Sequence, residues 1–172
     1  KGEKILICTS LGGHLFSSYF EALLALALTR YGAHVEIMLC DKALKACHLT
    51  TTHLIDEEEY IKNGQKKICN SCIDSGREAF EDLGLKINYY SKFITNEETI
   101  EIDKKIEDLN IDEMMSYIED DVSIGEHAYA GALRYYAVGN LTKEKEGKEI
   151  LKRYLHAGLV TKKIFFNFFS RN

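Results

Sequence analysis

The sequence predicts an α/β fold built on a short, mainly parallel sheet, and three observations carry that expectation. An unbroken apolar run lies within Lys4-Ile5-Leu6-Ile7-Cys8, the mark of a parallel strand covered on both faces, and Gly12-Gly13 follows it as a turn. From His14 to Tyr31, Leu15, Tyr19, Leu23, Leu26 and Arg30 recur at helical spacing, with Gly32 where a C-terminal cap belongs. Ala33 to Cys40 then returns to β-branched and apolar residues. Strand, helix and strand within forty residues make one βαβ unit, whose crossover is right-handed by the usual rule.

The remaining elements follow in order. From Lys42 to Asn70 neither periodicity dominates, so this stretch reads as an insertion with no regular core of its own, and the cysteine-bearing part of it spans 42–72. A helix is expected from Cys69 to Leu83, closed by Gly84, and Leu85 to Tyr90 alternates as a third strand. Charged amphipathic helices follow at Asn96–Glu107 and Asp112–Ile118, then one from Ser123 to Val138 closed by Gly139, and a last one from Lys145 to Phe169. The expected architecture is a Rossmann-like three-layer domain over residues 1–172, with several helices around a short sheet.

Composition sets the class. The chain has 172 residues, 45% apolar and 28% charged, which is the balance of one globular domain. A net charge of −5 gives no field to attract a phosphate backbone, so nucleic acid is not an expected partner. The longest apolar run, Ala22 to Leu28, is far short of the ~20 residues of a membrane span. No basic-then-apolar leader opens the chain, so a cytoplasmic location is expected. Proline is absent, which leaves turns to Gly, Asn and Asp. The end of the last helix, Ile164 to Phe169, is apolar almost all round, and so many helices on three strands suggest a fragment or a docking chain.

Two motifs carry chemistry. Thr9-Ser10-Leu11-Gly12-Gly13-His14 stands at the carboxyl end of a strand and the start of a helix, where backbone N–H groups meet an anion or hydroxyl. It lacks the G-x-G-x-x-G fingerprint, and Asp41 is a weak counterpart of a ribose-binding acid. The competing reading is structural: the glycines allow close packing and His14 caps the helix. The second motif is two cysteine pairs, Cys40 with Cys47 and Cys69 with Cys72. Four thiolates suit a structural zinc that would staple the 42–72 excursion, with His48 and His53 as spare ligands and an iron–sulfur cluster as the alternative. Reduced, buried cysteines that only fill space remain the plain alternative. Cys8 is left over in any full pairing.

Other polar residues read as structural. His34 sits at a strand edge, His156 among basic residues on the last helix reads as solvated, and Glu126 in Gly125-Glu126-His127 reads as a helix cap. Arg134, Tyr135 and Tyr136 line a cleft or pack.

Cys8-Thr9-Ser10-Leu11-Gly12-Gly13-His14, its alanine- and leucine-rich helix and Arg30-Tyr31-Gly32-Ala33-His34-Val35 resemble the N-terminal domain of two-domain, GT-B-type glycosyltransferases. Leu39 to Cys47, Cys69-Asn70-Ser71-Cys72 and Ser123 to Arg134 are similar to bacterial capsule and surface-polysaccharide biosynthesis proteins. The resemblance implies an acceptor-binding half, with a sugar or glycolipid acceptor at Ser10, Gly12, Gly13 and His14. It further implies His14 as catalytic base, a nucleotide-sugar donor on a second domain outside this chain, and inactivity of this half alone. The competing class is a metal-stabilised, non-catalytic binding module that docks through its aromatic C-terminal helix. A nucleotide- or cofactor-binding Rossmann protein of another kind is a further alternative.

Overall fold

The structure is a computed structural model that describes residues 2–171. Its elements in chain order are β1 (Lys4–Thr9), α1 (Leu15–Arg30), β2 (His34–Leu39), α2 (Glu57–Asn63), α3 (Lys66–Glu81), β3 (Lys86–Tyr89), α4 (Asn96–Ile106), α5 (Ile111–Met115), α6 (Ile124–Tyr136) and α7 (Gly147–Arg171). A 3-10 turn at Tyr90–Phe93 follows β3. The chain divides into two compact units. One comprises Lys1–Ala43 and Lys66–Lys92, the other Leu44–Gln65 and Phe93–Asn172.

The first unit is the α/β part. Its strands lie in the order β1-β2-β3, all parallel, with Lys4 opposite His34 and Glu36 opposite Lys86. Alternate residues explain the core: Ile7 of β1 and Val35, Ile37 and Leu39 of β2 share one face with Ala22 and Ala25 of α1 and Ala79 and Phe80 of α3. Both helices therefore cover the same face. The opposite face is covered at Met38 of β2, which is wholly buried. Cys8 on the opposite face of β1 is exposed, so β1 is not the doubly covered strand its apolar run implied. Beyond Met38 that face of the sheet is polar. Glu36 accepts from Asn88 Nδ2 at 2.7 Å and lies 3.0 Å from Lys86 Nζ, with the mostly exposed His34 ring 3.3 Å away. Burial would raise the Glu36 carboxyl, but these bonds from Asn88, Lys86 and His34 outweigh it and hold it below its ordinary value.

The second unit is helical. Helices α6 and α7 pack together around Ala128, Ala132, Leu151 and Leu155 among other buried residues. Close approach is possible because a Cβ on Gly131 would meet the Tyr154 ring at 2.4 Å. Helices α4 and α5 begin with full capping boxes, Thr95 with Glu98 and Asn110 with Glu113.

The stretch read as an insertion without a core is ordered in this unit, and hydrogen bonds hold it. Thr50 is fully buried, and its hydroxyl meets the Cys47 carbonyl at 2.7 Å and the Tyr154 hydroxyl at 2.9 Å. Arg134 Nη2 donates to the carbonyls of Cys47 and Thr50 at 3.1 and 2.9 Å, and Tyr135 Oη donates to the Ile55 carbonyl at 2.8 Å. Arg134 and the two tyrosines Tyr135 and Tyr136 thus pack in this network or beside it, Tyr135 stacking on Tyr60. Within that stretch Glu57–Asn63 form α2, with Asp56 as its N-cap accepting from the Glu59 amide at 3.0 Å. Among the described residues no helix is long and apolar enough to cross a membrane.

Candidate functional site

In the sheet unit, the chemistry-bearing loop lies where the sequence placed it, between the end of β1 and the start of α1. Its glycines have specific tasks. A Cβ on Gly12 would stand 2.6 Å from the Cys72 carbonyl oxygen and 2.9 Å from Gly76 Cα, so Gly12 lets the loop lie directly on the α3 backbone. Gly13 donates its N–H to Cys72 Sγ at 3.1 Å, and the His14 amide donates to the Leu11 carbonyl at 3.0 Å. These two amides are engaged within the protein. The loop is therefore less of an anion cradle than its position alone implied, and the packing role of the glycines is realised.

His14 is the N-cap of α1 and is exposed. Its Nδ1 lies 2.9 Å from Ser17 Oγ and 3.4 Å from the Ser17 amide, which leaves Nε2 as the ring atom that can meet a ligand. Ser10 beside it is exposed. Three further groups, of which only Tyr90 escaped the sequence reading, complete this end of the sheet. Thr9 Oγ1 donates to Glu21 Oε2 at 2.5 Å, tying β1 to α1. Asp41, the weak ribose-binding candidate, accepts from the Ser91 amide at 2.9 Å and from its hydroxyl at 2.5 Å, so it fastens the segment after β2 to the one after β3. The third is Tyr90, almost wholly buried, whose hydroxyl burial pushes well above its ordinary value, with Cys40, Cys8 and Glu21 acting in the same direction. Helical spacing flags Ser17 once His14 is taken as a cap, since the partner of a cap stands three residues on.

The cysteines take different places. Cys69 and Cys72 lie on α3, where Cys72 serves the loop, while Cys47 belongs to the helical unit and offers its carbonyl to Arg134, Tyr154 and Thr50. Among the described residues no group of three or more His, Cys, Asp or Glu side chains is arranged to hold a metal ion. Of the four cysteines proposed as a set, Cys40, Cys69 and Cys72 belong to the sheet unit and Cys47 to the helical unit.

The helical unit holds a second polar cluster. His156, expected to be solvated, is 1% exposed. The basic residues near it in sequence suggested solvent, but the face it shares with Leu159 and Val160 is buried. Its Nε2 is 3.5 Å from Asp103 Oδ1, and Asp103 is paired with Lys45 at 2.6 Å. Burial, helped by Lys45 and Arg153 and opposed by Asp103, pushes the imidazole down to about 4, so it is neutral near pH 7. Glu126 makes no capping box: Ser123 is the N-cap of α6 and its side chain makes no capping bond, while Glu126 and His127 are exposed in the first turn. A hollow of about 390 Å³ between α4 and α7 is lined by charges that pair with one another, Lys105 with Glu119, Lys162 with Asp120 and Lys163 with Glu98. Mutual neutralisation makes it a poorer candidate than the loop, where an imidazole nitrogen faces outward.

No protein family model matches this chain, and neither curated proteins nor solved structures yield a match.

Proposed function

We propose that the chain is the acceptor-side half of a glycosyltransferase that moves a sugar from a nucleotide-sugar donor during capsule or surface-polysaccharide assembly, the donor being held by a second domain. The observation that supports this reading is His14, exposed at the start of α1 behind Gly12-Gly13, with Nδ1 held by Ser17. The contact with Ser17 Oγ is compatible with both tautomers, because the hydroxyl can donate to Nδ1 or accept from Nδ1–H. When Nδ1–H donates to Ser17 Oγ, Nε2 keeps its lone pair and is competent as a base. When Nδ1 instead accepts from the Ser17 amide, Nε2 carries the hydrogen and can only donate.

In the transfer, Nε2 takes the proton of the acceptor hydroxyl as that oxygen attacks the anomeric carbon. The bond from this carbon to the nucleotide's phosphate oxygen breaks, its electron pair leaves with the phosphate, and His14 becomes imidazolium. The test is sugar transfer by this chain combined with the domain that binds the nucleotide sugar. His14→Ala is expected to lower the rate by about 10²–10⁴-fold; undiminished transfer removes His14 from catalysis.

A metal-stabilised, non-catalytic module is the second reading. One observation favours it: Phe166 and Phe169 on α7 are 64% and 66% exposed while Phe168 between them is buried. Zinc or iron near one equivalent per purified chain, together with transfer indifferent to His14→Ala, would decide for it.

A further inference from the structure

We propose that the outward face of α1 is a self-association surface on which a second copy of this chain packs. The helix is apolar all round but divides by size. Ser18, Ala22 and Ala25 face the sheet unit's core, whereas Phe16 is 88% exposed, Phe20 68%, Leu23 66%, and Leu15, Tyr19 and Leu26 between 42% and 53%. A helix with apolar residues on every side is stable in water only when both faces are covered.

The chemistry of the face selects its occupant. The charged residues of α1 are Glu21, which is bonded to Thr9, and Arg30 in the last turn. A membrane surface is a poor fit, because helices that lie on lipid carry lysines and arginines beside their apolar stripe. A different protein is normally selected by complementary charge, and this face carries only Arg30, in its last turn. A copy of itself fits. Leu15, Tyr19 and Leu23 form one i, i+4 ridge and Phe16 and Phe20 a parallel one, which suit ridge-into-groove packing about a two-fold axis. Aromatic side chains of 150–250 Å² each, with the leucines, present roughly the 800 Å² per partner of a standard stable interface.

Sedimentation velocity on the full chain at micromolar concentration is expected to show a species of twice the 19.6 kDa mass. Phe20→Glu and Leu23→Glu should each weaken association by more than about 100-fold, because each would bury a carboxylate in an apolar contact. Both side chains are exposed in the single chain, so circular dichroism should be unchanged. A chain that remains at single mass, or a dimer indifferent to both substitutions, would overturn the proposal. Flotation of a monomeric chain with phosphatidylcholine vesicles, abolished by the same substitutions, would also overturn it and give the face to lipid.

Discussion

Helices α1 and α7 spend their large side chains in opposite directions. In α1 the residues against the core are Ser18, Ala22 and Ala25, and the bulky ones point away. In α7, Ile150, Leu151, Leu155 and Ile164 are wholly buried inside the helical unit, and lysines occupy more open positions. Burial of large side chains supplies most of a helix's tertiary stability, so α7 contributes strongly to its own unit while α1 holds its apolar area in reserve.

The largest expected effect tests that contrast directly. Leu155→Ala should cost about 2–5 kcal/mol, whereas Leu23→Ala, tested in the single chain, should cost less than about 0.5 kcal/mol. Urea unfolding measures the difference, and hydrogen exchange assigns it to a unit. Equal costs would break the comparison.

Next comes acid. An unfolded histidine titrates near 6.5 and His156 in the folded protein near 4, so between those values the unfolded chain binds the extra proton. Stability is therefore expected to fall by about 2–4 kcal/mol as pH drops from 6.5 to 4. His48, lowered by burial and then by Arg134, adds to the loss in the same direction. Glu98 acts lower still: burial would raise its carboxyl, but bonds from Asn167, the Thr95 amide and Lys163 hold it below its ordinary value. His156→Leu should flatten most of the slope above pH 4.5, and an unchanged slope would place its cause elsewhere.

The smallest effects concern helix starts. Removing the capping box of α4 by Thr95→Ala should cost about 1 kcal/mol. His14→Ala should cost only a few tenths, because its cap contact to the Ser17 amide is long at 3.4 Å. Thermal melts of the two variants sharpen the reading of His14, since a large loss of transfer on a stable fold is then chemistry rather than unfolding.

Much of this was legible in the chain. The strand, helix and strand to Leu39, the third strand and the helices from Asn96 onward all form within a few residues of their sequence signals, because periodicity and glycine stops are local. Helix α2 is not visible in the periodicity of the 42–70 stretch, although Asp56 as an N-cap followed by the first-turn acids Glu57, Glu58 and Glu59 is a helix signal. Burial of His156 and the hold of Arg134 on Thr50 depend on partners 53 and 84 residues away, which no local pattern reports. The same is true of Gly12: its spacing shows a turn, but its contact with α3 exists only in the folded unit.

The strand order has a consequence for the loop. Because the chain moves in one direction from β1 to β2 to β3, its two crossover helices leave the sheet on the same side. The crevice that opens where neighbouring crossovers diverge to opposite faces, the topological switch point of α/β sheets, therefore does not arise between any two of these strands. The open edge of β1 is where such a divergence can still be made, and β1 is the strand that delivers Gly12, Gly13 and His14. A strand added there would turn an edge loop into the floor of a cleft.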